Sequence, residues 1–173
     1  MKNTADSVKK EFSIVVPIYN EEGNIKRLDS EIKKTMNEIS KDFEIIYIND
    51  GSKDNSLKEL NSLKNVTIID LNRNYGQATA LDAGFKAAKG ELIISMDGDG
   101  QNDPKDIPRL LKKIKDKDLD VVCGYRKNRA DKKGIRVLTK IGRLLRKIMI
   151  SDIVHDTGCT LRIYTRNIEV EGI

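Results

Sequence analysis

The chain has 173 residues, 38% of them hydrophobic and 34% charged, and a formal net charge of +5. This size and composition fit one globular domain with a real core, and no apolar run approaches the roughly 20 residues that span a membrane. The first ten residues lack the apolar stretch of a secretory signal, and two distant cysteines argue against a disulfide framework or a zinc site. We therefore expect a reducing, cytoplasmic setting.

Apolar runs alternate with helical patterns along almost the whole chain. The runs predict strands at 12–18, 43–49, 66–71, 92–96, 119–125 and 159–164, and the helical spacing of apolar residues predicts helices at 25–39, 57–63, 78–88, 107–114 and 135–148. This alternation predicts an α/β fold with a mostly parallel sheet covered by helices on both faces. We take residues 1–11 as a polar extension and residues 12–173 as one domain.

Single residues mark several of the predicted helix boundaries. Asp54 or Ser56 is the expected cap of the second helix, and Gly90 is expected to end the third. Pro104 is expected in the first turn of the fourth helix, because proline is favoured there.

Polar side chains follow the first four predicted strands. They are PIYNE at 17–21, NDGS at 49–52, NRN at 72–74, and Asp97 and Asp99 within DGDGQ at 97–101. In parallel sheets ligands bind beyond the carboxyl ends of the strands, where these residues meet. The sequence therefore predicts a binding site at that edge of the sheet.

Asp97 and Asp99 come directly after a buried apolar run. Two carboxylates in that position repel each other and lose hydration, and a divalent cation bridged to a phosphate would compensate. Oxygen ligands suit Mg²⁺ or Mn²⁺, and Gln101 extends the series. The alternative is an acidic surface turn, since Asp-Gly pairs are common in hairpins.

The polar residues after the second and third strands allow two interpretations each. Asp50 can accept a hydrogen bond from a base such as uracil, or it can cap an Asp-Gly turn. Arg73 can pair with a phosphate or lie on the surface. Residues 74–77 open the third predicted helix, whose amino end offers unpaired N–H groups to an anion.

Several other functions are disfavoured by the motifs that the chain lacks. No GxGxxG follows the first strand and no GxxxxGK[ST] occurs anywhere, so dinucleotide and P-loop sites are poor hypotheses. His155 is the only histidine, which leaves little basis for a serine or cysteine hydrolase.

Basic residues cluster between Arg126 and Lys147, where ten stand against the single acid Asp131. This predicts an anionic partner, which is nucleic acid, a phospholipid headgroup or a phosphorylated small molecule. Nucleic acid is the least favoured, because aromatic residues make up only 5% of the chain and none interleaves with these basic residues.

Five ordered motifs resemble those of the family 2 inverting glycosyltransferases, and among them the polyprenyl (dolichyl) phosphate mannose/glucose synthases. The motifs are VPIYNE at 16–21, NDGS at 49–52, RNYGQ at 73–77, DGDGQ at 97–101 and DTGCTLR at 156–162. The resemblance covers nearly the whole chain from residue 12. It implies the nucleotide-diphosphosugar transferase fold called GT-A.

The resemblance also implies roles for particular residues. The nucleotide-sugar-binding set is Pro17, Tyr19, Glu21, Asp50, Ser52, Arg73, Gly76, Gln77 and Asp97; the metal set is Asp97, Asp99 and Gln101; the catalytic set is Asp99 and Arg126. Asn49 departs from the family, which usually has a second aspartate there. Gly98 and Gly100 replace the commoner Ala and Leu, from which we expect a looser loop.

The acceptor follows from the chemistry of an inverting transfer. A hydroxyl acceptor needs a general base, whereas a phosphate is already anionic at neutral pH. The remaining carboxylates lie in no typical base motif, which favours a phosphate nucleophile. The arginines assigned to the acceptor phosphate are Arg136, Arg143, Arg146 and Arg162. The basic helix at 135–148 is either a solvated surface or an amphipathic element at the bilayer.

Together these inferences predict transfer of a hexose from a UDP- or GDP-sugar to a polyprenyl phosphate, by an enzyme peripheral to the cytoplasmic face of the membrane. The alternatives are transfer to a saccharide hydroxyl and a nucleotide-binding module without activity. The second alternative arises because we expect the chain to lack the C-terminal acceptor-site elements of the family. The oligomeric state is left open, a homo-oligomer included.

Overall fold

The structure is a computed structural model and describes residues 10–124 and 160–166. Six strands form one sheet in the order β3-β2-β1-β4-β6-β5. The strands are β1 Lys10–Ile18, β2 Phe43–Asp50, β3 Thr67–Leu71, β4 Gly90–Ser95, β5 Val121–Cys123 and β6 Arg162–Thr165; the helices are α1 Ile25–Ile39, α2 Ser56–Leu60, α3 Gln77–Ala87 and α4 Ile107–Lys117. The helix predicted at 135–148 lies outside the described residues.

The sheet is mostly parallel, as the sequence predicts. Strand β1 pairs in parallel with β2 and β4, and β2 pairs in parallel with β3. Strand β6 runs antiparallel to both β4 and β5. The carboxyl ends of β1 to β4 and the amino end of β6 therefore lie at the same edge of the sheet.

Helices cover both faces of the sheet because side chains alternate along each strand. Ile46 and Ile48 of β2 point to one face, where they form a core cluster with Ala80 of α3. Tyr47 points to the other face, where its hydroxyl donates to Asp29 of α1 at 3.3 Å. The residues of these contacts other than Asp29 are fully buried, namely Ile46, Tyr47, Ile48 and Ala80.

Asp29 is the polar group that fixes α1 to the sheet. Burial raises the pKa of Tyr47, and the charge of Asp29 and the hydrogen bond to it raise that pKa further, so the phenol stays protonated. The other Asp29 oxygen accepts from Lys33 Nζ at 2.8 Å, and Lys33 also donates to the carbonyl of Lys64 at 2.6 Å. Helix α1 is thus tied to β2 and to the turn before β3.

Three predicted helix boundaries differ in the structure. Gly90 does not end α3 but begins β4. A glycine is needed there because a Cβ would stand 2.4 Å from the backbone nitrogen of Ser13 on the neighbouring strand. Pro104 lies in a separate 3₁₀ turn before α4 rather than in its first turn. The N-cap of α2 is Asn55, whose side chain makes no cap hydrogen bond, while Asp54 accepts from Ser56 N at 3.0 Å.

Gly84 lets α3 lie close against the sheet, which generates a test of this packing. A Cβ at residue 84 would stand 2.4 Å from Val15 Cγ1 and 2.7 Å from Ile48 Cδ1. We expect Gly84→Ala to lower the free energy of unfolding by about 1–2 kcal/mol, because overpacking outweighs the better helix propensity of alanine. The measurement is the denaturation midpoint, with Thr79→Ala, at an exposed position of the same helix, as the control. Equal stability of wild type and Gly84→Ala would contradict this packing.

Candidate active site

A cavity of about 320 Å³ opens at the edge of the sheet where β1 to β4 end. Its walls come from the last residues of β1 and β2 and from the segments that follow the four strands. The lining residues are Pro17, Ile18, Tyr19, Glu21, Asp50, Asn74, Gly76, Gln77, Asp97, Gly98 and Asp99.

The segments after β1 and β2 are joined by hydrogen bonds between side chains and backbone. The backbone N–H of Asn20 donates to Ser52 Oγ at 3.1 Å, and Lys53 N donates back to Asn20 Oδ1 at 2.8 Å. Glu21 N donates to Ser56 Oγ at 2.8 Å. The backbone that carries Tyr19 and Glu21 into the cavity is therefore fixed by the turn after β2.

The same two segments continue their pairing one residue further along. Glu22 N donates to Asp54 Oδ2 at 3.1 Å, and the carboxylate of Glu22 accepts from both the backbone and side-chain nitrogens of Asn55, at 3.1 and 2.7 Å. Slight burial works to raise the pKa of Asp54, but hydrogen bonds from Ser56, from Glu22 N and from its own backbone N–H outweigh it and lower that pKa.

Asp50 joins the segments after β2 and β3. Only 3% of its surface is exposed, and its two carboxylate oxygens accept from Tyr75 N at 2.8 Å and Gly76 N at 2.9 Å. Gly51 follows with φ of +63°, and a Cβ there would stand 2.3 Å from the carbonyl carbon of Arg73. Only glycine allows this turn and this close approach at once.

The amino end of α3 connects the third segment to the fourth. Gly76 has φ of +93° and ψ of 158°, a backbone conformation that favours glycine, and α3 begins at the next residue. The side chain of Gln77 donates from Nε2 to Asp97 Oδ1 at 2.6 Å. The N–H groups of residues 75 and 76, predicted to be open to an anion, instead bind Asp50.

The segment after β4 is held on both sides. Asp99 Oδ1 accepts from Gln101 N at 2.9 Å, and the buried Asn102 donates to Thr160 Oγ1 at 2.8 Å. Gly98 is closely packed rather than loose, contrary to the expectation, because a Cβ there would stand 2.4 Å from Ile18 Cδ1.

Eight of the predicted site residues line the cavity together. Three others, Ser52, Arg73 and Gln101, belong to the same motifs but do not line it. Ser52 uses its hydroxyl to accept from Asn20 N. The Arg73 guanidinium lies over the ring of Tyr75, 4.8 Å from its centroid. Gln101, like these two, does not line the cavity. Their roles toward a ligand stay predictions.

The predicted acceptor residues are only partly described. Arg162 opens β6 and is paired in register with Ser95, the last residue of β4, so it lies beside the segment that carries Asp97. The other three predicted acceptor residues, Arg136, Arg143 and Arg146, lie outside the described residues, as does Arg126 of the predicted catalytic set.

The structure adds two residues to the predicted site set. Asn74, which the sequence placed at this edge of the sheet without a specific ligand role, lines the cavity. The Arg27 guanidinium lies beside Gly100, since a Cβ at residue 100 would stand 2.9 Å from Arg27 Nη2. Nothing in the sequence distinguishes Arg27 from the other exposed cations of α1, because the loop at Gly100 that it approaches is distant in the chain.

The carboxylates of the cavity are compatible with a magnesium-type cation. Within residues 10–124 and 160–166 no three His, Cys, Asp or Glu side chains group as a complete metal cage. Mg²⁺ is usually held by one or two carboxylates together with substrate phosphates, so Asp97 and Asp99 suffice as protein ligands. In the same part of the chain no helix has the length and apolar character to cross a bilayer.

The sequence matches the family described as Glycosyl transferase family 2 over residues 13–171. A dodecaprenyl-phosphate galacturonate synthase from Rhizobium johnstonii is 39% identical to this chain over 180 residues. The alignment covers 97% of this chain and 52% of the relative, so the chain spans about half of the relative's length.

Solved structures share the fold at low sequence identity. Glucosyl-3-phosphoglycerate synthase from Mycobacterium tuberculosis, in complex with Mn²⁺, UDP and phosphoglyceric acid, superposes with a TM-score of 0.71 at 18% identity, covering 91% of this chain and 56% of that one. A mannosyltransferase from Pyrobaculum calidifontis, in complex with GDP-Man and Mn²⁺, gives 0.56 at 19% identity, covering 69% and 37%. These likenesses confirm the predicted GT-A fold.

The lowered pKa of Asp54 predicts how stability depends on pH. A carboxyl whose folded-state pKa lies below its ordinary value of 3.8 stabilises the fold above that pH, and the contribution is lost as pH falls through the lowered value. We expect Asp54→Asn to reduce the free energy of unfolding at about pH 6 and to differ less and less from wild type as the pH falls below 3.8. Urea denaturation across this range measures the difference. Asp116→Asn, at an exposed carboxyl on α4, is the control, and a constant deficit of Asp54→Asn at all pH values would contradict the assignment.

Proposed function

The chain belongs to glycosyl transferase family 2, and on that premise we propose that it transfers a hexose from a nucleotide-diphosphosugar to a polyprenyl phosphate. The observation that carries the proposal is the shared cavity. Four segments far apart in sequence bring eight of the predicted site residues to one place. Inversion at the anomeric carbon and assistance by Mg²⁺ or Mn²⁺ are part of the proposal.

The nucleoside end of the donor fits the side of the cavity formed after β1 and β2. Tyr19 is 42% exposed and offers a ring face on which a base can stack. A carboxylate has about four lone-pair sites, so Asp50 can bind a base N–H in addition to its two backbone donors. Pro17 and Glu21 line the same side. These contacts suit a uracil or a guanine, both of which carry ring N–H donors.

The diphosphate end fits the side formed by Asp97 and Asp99. Asp97 and Asp99, with Gln101 as the third proposed ligand, would hold a cation there, and that cation would supply positive charge to the leaving diphosphate. Gln77 keeps one oxygen of Asp97 hydrogen-bonded at 2.6 Å and so orients that carboxylate. The proposed catalytic residues are Asp99 and Arg126, and the family resemblance assigns Arg126 to the phosphates.

A phosphate acceptor agrees with both the chemistry and the comparison. An anionic phosphate attacks without a general base, so the mechanism makes no demand for a further carboxylate. The similar protein from Rhizobium johnstonii is named as a dodecaprenyl-phosphate galacturonate synthase. We assign the acceptor phosphate to Arg136, Arg143, Arg146 and Arg162, and place the enzyme at the cytoplasmic surface of the membrane.

The cation site is tested by removing one carboxylate. We expect Asp99→Ala to weaken Mn²⁺-dependent binding of UDP or GDP by roughly tenfold to a hundredfold, the loss of one strong charged contact. Calorimetric titration with Mn²⁺ and with a chelator separates the cation-dependent affinity from the rest. Asp106→Ala is the matched control, because this exposed aspartate before α4 makes no side-chain cap hydrogen bond. Full Mn²⁺-dependent affinity in Asp99→Ala would contradict the assignment.

The transfer itself is tested with labelled UDP- and GDP-sugars and two acceptors. We expect label to move to a polyprenyl phosphate in Mn²⁺ and not to an oligosaccharide. Label on the oligosaccharide alone would replace the proposed acceptor with a hydroxyl. Nucleotide binding without transfer to either acceptor would identify a donor-binding module.

A further inference from the structure

We propose that Asn49 and Asp70 form a positioning pair that holds the turn carrying Asp50 in the shape required for nucleotide binding. The inference deepens the proposed function and rests on it. Neither residue lines the cavity, so the pair acts through Asp50 rather than by touching the ligand.

Asn49 makes hydrogen bonds in two directions from a buried position. It faces Asp70 in the parallel register of β2 and β3, and its Nδ2 donates to Asp70 Oδ1 at 2.7 Å. Its Oδ1 accepts from Ser52 N at 3.3 Å. Asn49 is only 2% exposed, so both groups depend on these partners. One side chain thereby links β3 to the turn that follows β2.

These contacts require an amide at position 49. Because the oxygen of Asn49 receives the N–H of Ser52, its nitrogen must face Asp70. An aspartate, which the family resemblance leads one to expect here, has no donor for Asp70. Two carboxylates at this separation would repel each other unless one of them took up a proton. The asparagine at position 49, which departs from the family pattern, therefore supplies the donor that the carboxylate of Asp70 accepts.

The pair reaches the cavity through the next residue. Side chains alternate along β2, so Asp50 projects to the opposite face, where it accepts from Tyr75 N and Gly76 N. Gly51 lies directly against the backbone of Arg73, because a Cβ at residue 51 would stand 2.3 Å from the carbonyl carbon of Arg73. A change in the Asn49 contact to β3 would therefore shift Asp50 against the segment that lines the cavity.

The charged groups around the pair have other partners or lie in solvent. Asp54 and Glu59, on the segment and helix that follow, accept backbone N–H groups from Glu22 and Gly23. Lys53 and Lys58 are exposed. A new carboxylate at position 49 would face the carboxylate of Asp70, with which Asn49 is paired in register across β2 and β3.

The first test removes the hydrogen-bond donor of the pair. We expect Asn49→Asp to weaken Mn²⁺-dependent UDP or GDP binding roughly tenfold at about pH 8, relative to wild type. The ratio of variant to wild-type dissociation constants cancels the titration of the nucleotide itself. This ratio should fall toward one as the pH is lowered, because a proton shared by the two carboxylates restores a donor.

The double variant Asn49→Asp/Asp70→Asn should rescue binding. The introduced carboxylate can accept from both Ser52 N and the new amide at 70, so most of the affinity should return and the pH dependence of the ratio should vanish. Asn37→Asp adds one carboxylate at an exposed position of α1 and is the charge-matched control for Asn49→Asp, for which we expect no change.

The outcomes separate the two proposals. Asn49→Asp with wild-type affinity at all pH values, or a double variant as weak as the single one, would overturn the positioning pair alone. A wild type that binds neither nucleotide would overturn the proposed function together with it. If Asn49→Asp does not fold, Asp70→Ala at an exposed position replaces it. This variant should bind several-fold more weakly, and unchanged affinity would overturn the pair.

Discussion

The buried carboxylate of Asp50 is the constraint on which the whole site depends. A charge that is 3% exposed must be compensated, and here two backbone N–H groups supply the compensation. Those donors belong to Tyr75 and Gly76, which precede α3, so satisfying one side chain also fixes where a helix begins. The need to pair this carboxylate thus joins the ends of two neighbouring strands.

Each remaining segment of the site is attached to its neighbour by contacts of the same kind. Side-chain oxygens of Ser52 and Ser56 receive backbone N–H groups from the segment after β1. The amide of Gln77 reaches the segment after β4 at Asp97. Because the strand order places β3, β2, β1 and β4 side by side, these local contacts build one continuous wall. Such a wall needs little ordering when a ligand binds, which lowers the entropic cost of association.

The sequence predicts the first four strands and the location of the site for one physical reason. Buried parallel strands are continuous apolar runs, and the polar residues that end them must meet at one edge. The antiparallel strand β6 between β4 and β5 was not predictable in this way, because an apolar run does not specify its direction or its neighbours. Gly90 illustrates the same limit: glycine both ends helices and permits close strand contacts, and only the proximity of Ser13 decides between these roles.

The motifs also contain predicted site residues that do not line the cavity. Ser52 belongs to a motif, yet its hydroxyl already accepts the backbone of Asn20. Arg73 likewise stacks on Tyr75 within its own segment. A site built from loops needs polar side chains to hold the loops together as well as to contact the ligand, and both kinds occupy neighbouring positions in the sequence. Asn49 belongs to the first kind, because its amide is buried against Asp70 while the adjacent Asp50 lines the cavity. Which residues of such a motif contact the ligand and which hold the loop is therefore set by the alternation of side chains along a strand. The two kinds can be told apart only when each polar atom is matched to its hydrogen-bond partner.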